Sequence, residues 1–567
     1  MMIGELPPFL ILLVGALLIP LFRGRGQPIF ALVVIAFGFL NLLSLDYGIY
    51  WQLPLFDYTL VFGRLDRLAF LFTLLFHIAA AIGFIFALHV RDGMQHVAAL
   101  AYAAGAVGAV MAGDLITLFL FWEILALASV FLVWARRTEA ARGAGMRYFL
   151  FNVVSGLLLL TGAIVHIHNT GSIAFENFGL DGSLGTLLIF LAFGIKCAWP
   201  FFHTWLTDAY PEATPTGTVF LTAFTTKTAV YALARAFPGT EILIPIGTVM
   251  AAFPIFYAVI ENDLRRVLAY SMINQIGFMV VGVGIGTDLA LNGAVSHAFN
   301  DVLFKGLLMM SMGAVLQMTG RMNGSDLGGL YKSMPITTVL CIVGAASISA
   351  FPLFSGFVSK SMVMTAAAEE GHTIVFLVLL FASAGVFHHA GIKIPYFAFF
   401  AHDSGIRTTE PPTNMLVAMG IAAVACIFIG SYPDLLYSLL PWPVDYEPYT
   451  LTHVITQTQL LFWSALAFAL LMASGLYPPE LRLINIDTDW LYRRLGYGTM
   501  LAFRNGFASS FQSANTGIRP WLGRIYDRIH AHHGPQGVLA RTWPTGSTVL
   551  WIAVMLGGYL LLFFLAD

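Results

Sequence analysis

Sixteen mostly apolar stretches, most of them close to the roughly 20 residues needed to cross a bilayer and the seventh, eleventh and twelfth long or interrupted, take up most of this chain. Their edges fall near 7–22, 29–46, 67–89, 96–113, 115–135, 147–168, 184–209, 215–236, 241–260, 265–285, 289–319, 333–368, 373–397, 413–432, 456–476 and 547–566. Inside lipid every backbone N–H and C=O must find its partner within the protein, so a chain of this kind folds as packed helices. The balance of residues agrees: 58% are hydrophobic and 10% charged, against about 25% charged in a soluble domain. The expected class is an all-α polytopic membrane protein surrounded by a lipid bilayer. The first apolar run has no basic segment before it and reads as a retained helix, not a cleaved signal.

Five of the six lysines sit inside these stretches: Lys196, Lys227, Lys305, Lys360 and Lys393. An ammonium at the centre of a membrane helix costs about 2.5–3.5 kcal/mol, so five isolated ones would exceed the net stability of an ordinary fold. Lysines persist there when they pair with one another's counter-charges or line a wet interior path. That points to proton or ion transfer within the membrane, and makes an inert scaffold a poor reading.

Several function classes drop out. No basic run suggests nucleic acid. Cys197, Cys341 and Cys426 are scattered in apolar segments with no metal spacing. No P-loop, haem pair or iron–sulfur spacing is present, so neither a cofactor, a metal nor a catalytic residue is expected.

Charge predicts an orientation. With both termini outside, the inner loops collect 20 of the 28 basic residues and the outer loops only Arg64, Arg67 and Arg235, the other five being the intramembrane lysines. A repeat is also legible. Lys196 and Lys227 are 31 residues apart, Lys360 and Lys393 are 33 apart, and each pair is associated with a proline break, at Pro200 and at Pro352 with Gly356. Five helices separate the pairs, so the two units would have opposite orientation, with broken helices 7 and 12 at matching places. The expected division is residues 1–95 (helices 1–3), 96–236 (first repeat, helices 4–8), 241–400 (second repeat, helices 9–13), 401–476 (helices 14–15), 477–546 (a polar, arginine-rich segment on the inner surface or on a neighbouring subunit) and 547–567 (a last helix).

Glu123 lies deep in the fifth stretch, and a deep carboxylate needs a cation to stay charged. Lys196 is the expected partner, either as a switchable ion pair or as a static salt bridge. Pro200 cannot donate its backbone bond, which frees a polar group beside Lys196. His203 follows, as a relay to the inner side or as a cap on the broken helix. Asp208 and Glu212 are expected at the solvated inner rim. His297, Asp301 and Lys305 recur every fourth residue, which stacks them on one helix face as a proton wire or as a polar cluster that cements helices. Lys393 falls near the inner end of its span, as a secondary proton-transfer candidate or as a lysine that snorkels.

Long runs here resemble a known family. Gly113–Val133 is similar to the "GDLLTLFxFWELLxLxSxxLV" segment of proton-translocating antiporter-like subunits, shared by respiratory complex I, membrane hydrogenases and Mrp-type antiporters. Lys196–Arg235, Glu261–Met279, His297–Leu308 and Phe351–Lys360 resemble the blocks that follow it, so the likeness covers about residues 65 to 432. It implies about 14 core helices, two inverted five-helix bundles and a polar midplane axis, with about two extra C-terminal helices. By match, Glu123 and Lys196 would be a coupling pair, Lys227 a bridging lysine, His297 with Lys305 a central relay and Lys360 the terminal lysine. The chain most resembles the D subunit of Mrp-type Na+/H+ antiporters. The long in-plane helix of the largest complex I relative is not evident in the sequence.

The expected function is that of a proton-translocating subunit of a cation (Na+)/proton antiporter in a prokaryotic plasma membrane, with other membrane subunits as partners and H+ and Na+ as transported ions. A subunit of a redox-driven pump (complex I-like or membrane hydrogenase) and the membrane half of an inorganic-carbon uptake system are the alternatives.

Overall fold

The computed structural model describes residues 6–483, 485–541 and 544–566. Two helices, α1 (Pro8–Leu18) and α2 (Gly26–Leu43), lead into an antiparallel hairpin, β1 (Gly48–Leu55) and β2 (Tyr58–Leu65). Next come α3 (Arg67–Phe86), α4 (Gly93–Met111), α5 (Leu115–Trp134) and α6 (Glu139–Thr170). Broken elements follow: α7 (Leu184–Lys196), α8 (Thr204–Ala209), α9 (Gly217–Ala223) and α10 (Thr225–Ala236). The centre is built by α11 (Leu243–Ile260), α12 (Leu264–Ile285) and α13 (Asp288–Thr319). Beyond it lie α14 (Pro335–Ile348), α15 (Ser355–Glu369) and α16 (Thr373–Val386), the last running on through π-helical turns Phe387–Lys393 and Tyr396–Phe400. α17 (Thr413–Ser431), α18 (Asp434–Tyr437) and α19 (Leu451–Ala473) complete a unit that ends at Asn485. A second unit, from Ile486 onward, holds α20 (Tyr497–His533) and α21 (Thr545–Leu565).

Among the described residues, 12 helices are long and apolar enough to cross a membrane, and three shorter apolar helices accompany them. The protein is a helical, multi-pass membrane protein. Two features go beyond what the sequence announces. Residues 48–65 form a hairpin that no periodicity announces, joined by a two-residue turn at Phe56-Asp57. The arginine-rich stretch contains a continuous 37-residue helix, α20, despite Pro520 within it. At 1.5 Å per residue that is about 55 Å of helix, so a long helix is present where the sequence does not make one evident.

The hairpin fixes the start of α5. Asp114 caps that helix, Oδ1 accepting from the N–H groups of Ile116 and Thr117. Its Oδ2 accepts from Val61 of β2 at 2.7 Å, and the Gly113 N–H donates to the Val61 carbonyl. A side chain at Gly113 would meet Val61 Cγ1 at 2.5 Å, so glycine is what lets the strand approach. Asp263 does the same for α12, accepting from Arg265 and Arg266 N–H groups. Each capping aspartate also forms an isolated bridge with a later segment, Asp114 with Ala174 and Asp263 with Asn323.

Candidate functional site: a buried row of lysines

All five intramembrane lysines are 0–1% exposed, so none faces lipid. Their partners differ. Lys227, on α10, makes an ion pair with Asp301 of α13 at 2.6 Å, both side chains fully buried, and donates to the Thr222 carbonyl at 3.1 Å. This pair ties the first set of broken helices to the central ones. Asp301 has this one described counter-charge in contact, and it is not the Lys305 of its own helix.

Lys305 instead donates to Ser271 Oγ of α12 at 2.8 Å. His297 reaches across to Gln275 Oε1 through Nε2 and to Ser359 Oγ of α15 through Nδ1, both at 3.0 Å. Gln275 in turn donates to Asn274 Oδ1, and Asn274 to the Ala251 carbonyl. The row of three on α13 is real, but its members do not bond to one another. Each bonds outward to neighbouring helices: Asp301 to α10, Lys305 to α12, and His297 to α12 and α15. The periodicity locates them; it carries no information about partners far away in sequence.

Glu123 and Lys196 are not in ion-pair contact in this structure. The Lys196 ammonium donates to the Trp122 carbonyl at 2.7 Å and lies 4.2 Å from the Trp122 ring centroid. Glu123 is partly exposed, and its Oε1 has no hydrogen-bond partner among the described residues. That carboxylate rests against Gly156 of α6, where an added Cβ would fall 1.6 Å from Oε1. The expected pair is therefore open here.

Lys360 donates to the Ile348 carbonyl at 3.0 Å and lies 5.2 Å from the Phe278 ring centroid. Ile348 is the last residue of α14, where the helix break leaves carbonyls without an intrahelical partner and the helix dipole is negative. The two breaks share one backbone design. Ala198 and Phe201 have φ of 59° and 72°, and Ala350 and Leu353 have 58° and 73°. Trp199 N–H returns to Gly194 O, and Phe351 N–H returns to Ala346 O. The lysines, however, stand on opposite sides of their breaks. Lys196 ends α7, whereas Lys360 sits inside α15, so the two are not in corresponding places.

Other sequence candidates resolve as follows. The His203 ring lies against Phe253, centroids 4.7 Å apart. Asp208 and Glu212 do not merely meet solvent: Arg147 bonds Asp208 at 2.6 Å and Arg136 bonds Glu212 at 3.1 Å. Arg265 is fully buried and binds the carbonyls of Pro211 and Ala213 at 3.0 and 3.1 Å, so it is a structural clamp and not a loop residue. Lys393 does not snorkel. Its ammonium takes the carbonyls of Val259 at 2.7 Å and Glu261 at 2.6 Å and the Glu480 carboxylate at 3.0 Å. His389, for which the sequence gives no signal, is fully buried on the same π-helical turns. Among the described residues no group of three or more His, Cys, Asp or Glu could hold a metal.

Buried amines, an imidazole and the Asp301 carboxylate are groups capable of acid–base exchange without covalent chemistry, and the serine hydroxyls and amides bonded to Lys305 and His297 both donate and accept.

Residues 112–387 match the transmembrane family described as NADH:quinone oxidoreductase/Mrp antiporter. The probable A/B subunit of a K(+)/H(+) antiporter of Rhizobium meliloti is 30% identical over 69% of this chain and 42% of its own length. The D subunit of the Na(+)/H(+) antiporter of Bacillus subtilis is 26% identical over 58% of this chain and 69% of its own. The chain spans about half the length of the curated relatives it matches first. In fold it is similar to the Mrp complex from Dietzia, with a TM-score of 0.70 and 21% identity over 79% of this chain and 98% of that one. It is also similar to the membrane-bound sulfane sulfur reductase, an archaeal respiratory complex, with a TM-score of 0.71 and 23% identity over 99% of this chain and 100% of that one.

Proposed function

Over residues 112–387 the chain is a member of the NADH:quinone oxidoreductase/Mrp antiporter transmembrane family, and on that premise we propose that it is the proton-translocating subunit of a multisubunit Na+/H+ antiporter in a prokaryotic plasma membrane. One observation carries the reading: a fully buried Lys227–Asp301 pair lies beside three further buried lysines that have only neutral partners in contact. Desolvation favours a neutral amine over an ammonium, so such lysines exchange protons where an ordinary surface lysine would not.

The mechanism is electrostatic. With Glu123 and Lys196 apart, Lys227 is paired with Asp301. When Glu123 closes on Lys196, the positive charge of Lys196 is neutralised locally and the field at Lys227 changes. Protons then pass by way of Asp301 and Lys305 to His297 and Lys360. His203 would serve as a relay toward the inner side of the first half. The two halves act as inverted units, with both chain termini outside and the arginine-rich loops inside. Relatives named as A and D subunits of Na(+)/H(+) antiporters support antiport but do not separate one type from the other.

A second reading has its own support. The archaeal respiratory complex matches the full length of this chain, including the region of α20 and α21, whereas the Mrp structure covers 79%. The same proton row would then be driven by electron flow in partner subunits. The intact complex decides: only membrane subunits fit antiport, while co-purified iron–sulfur proteins fit the redox pump. Proton transport itself is tested in everted vesicles. Lys360→Ala and Glu123→Gln should assemble and lose transport more than tenfold; activity retained in both would overturn the row as the path.

A further inference from the structure

The second set of helices carries a polar cluster that the row above does not use. After α19 the chain turns back, and residues 477–483 run along the end of α11 and α16 like a strap. Glu480 places its carboxylate on Lys393 at 3.0 Å. Arg482 pairs with Asp326, and just past the strap Asn485 donates to Glu261 Oε2 at 3.1 Å. Tyr477 stacks on His388, centroids 5.7 Å apart. The strap thus closes the end at which Arg136, Arg147 and Arg266 also gather, the arginine-rich face of the protein.

Behind this closure lies His389. It stands four residues before Lys393 on the π-helical turns and is fully buried, with no side-chain hydrogen-bond partner among the described residues and only the Gly385 carbonyl of its own helix near a ring nitrogen. A buried imidazole with at least one nitrogen desolvated and unused is costly, and a π-helical turn is itself a departure often found at working sites. The charge acting most strongly on it is Lys305 of the central row. From the other side Gly391 presses on Ser349, where an added Cβ would lie 2.4 Å from the hydroxyl, next to the Ile348 carbonyl that Lys360 holds.

We propose that Glu480, Lys393 and His389 form a second proton entry, leading from the arginine-rich face into the row at Lys305, and that the strap 477–483 gates it. The proposal rests on the proton-translocation reading. A proton arriving from water neutralises the Glu480 carboxylate and removes the counter-charge of Lys393. The Lys393 ammonium passes one proton to a ring nitrogen of His389 and takes the proton from Glu480, which returns to carboxylate. The imidazolium hands its proton to the neutral amine of Lys305 and returns to imidazole. One proton enters, one reaches Lys305, and every group is restored. The groups facing Glu480 are Lys393, the Glu261 carboxylate with its Arg266 neighbour, and Tyr477. Burial holds the Glu480 carboxyl above its usual range, partly offset by Lys393, the direction that favours its accepting a proton.

The test uses the assembled complex in everted vesicles, with the amount of complex measured for each variant. Compared at equal amounts of assembled complex, His389→Asn and Glu480→Gln should slow proton transport at least fivefold, with Glu480→Asp restoring most of it. Infrared difference spectra on a pH jump should show a carboxyl C=O band that disappears in Glu480→Gln. If Lys360→Ala abolishes transport while His389→Asn and Glu480→Gln leave the rate and the spectrum unchanged, the entry is refuted and the main row stands. If Lys360→Ala is also without effect, the parent reading itself has failed.

Discussion

The two helix breaks have the same backbone and different chemistry. At both, two non-glycine residues adopt positive φ around a proline, and the chain closes back on the helix it has just left. In the first break the lysine is the last residue of the incoming helix, and its ammonium is held by the carbonyl and ring of Trp122 on another helix. In the second the lysine lies beyond the break and binds the orphaned end of the incoming helix. A carboxylate stands open near the first, whereas a hydroxyl, a histidine and two amides surround the second. The backbone device supplies a polar, unpaired position inside the membrane. In the proposed mechanism the side chains placed there decide whether it answers to a moving charge, as proposed for Lys196, or delivers a proton, as proposed for Lys360.

The link between the two halves is the place where the comparison breaks most readily. Asp301→Asn leaves the Lys227 ammonium buried with no counter-charge. Removing one partner of such a pair costs about 3–5 kcal/mol, and the purified complex should lose thermal stability accordingly and transport no protons. The double variant Lys227→Met with Asp301→Leu should recover much of the stability and none of the transport. If it regains both, the pair is structural.

A smaller contrast lies in two glycines. At Gly356 an added Cβ would sit 1.9 Å from the Ser347 carbonyl, a backbone atom that cannot step aside. At Gly156 it would sit 1.6 Å from Oε1 of Glu123, the free end of a flexible side chain. Gly356→Ala should therefore lower stability by about 1–3 kcal/mol, as overpacking does. Gly156→Ala should leave the melting temperature nearly unchanged and alter transport severalfold by displacing the carboxylate. Equal effects on stability would erase the distinction between a structural break and a responsive one.

The smallest effect concerns the start of the first broken helix. Asp181 accepts from Thr186 Oγ1 and the Ser183 N–H ahead of α7, which holds its carboxyl down to about 2. A carboxylate bound more readily in the folded protein contributes stability above its unfolded value of about 4. That contribution fades as pH falls from about 4 toward 2. Asp181→Asn should flatten this acid limb in a thermal melt and leave the curve at pH 7 slightly lowered. The other break differs here too, since α14 begins at Pro335 under Glu410, which accepts from the Ile336 N–H.

What can be read from the sequence follows from what physics makes local. Runs of about 20 apolar residues, prolines in them, and lysines stranded inside announce the helices, the breaks and the buried cations. The hairpin does not announce itself, because residues 48–65 lack a clean alternation and owe their place to Asp114, far along the chain. Partners are the hardest to foresee. Lys305 lies one turn from Asp301 in sequence, yet the carboxylate goes to Lys227, a choice made by helix packing. His389 escapes a reading of the sequence because a single histidine in an apolar run has no signature until its surroundings are known. Lys393 misleads for the same reason: the strap that covers it comes from beyond α19.

The central claim is that buried amines and acids form one connected, hydrated line from Lys227 to Lys360. A map of the intact complex in lipid, sharp enough to resolve ordered water, tests it most directly. The account predicts water or hydroxyl oxygens at hydrogen-bond spacing joining Asp301 to Lys305 and Lys305 to His297 and Lys360. Dry, apolar gaps between these groups, wider than a single water can bridge and present in every conformation resolved, would contradict it.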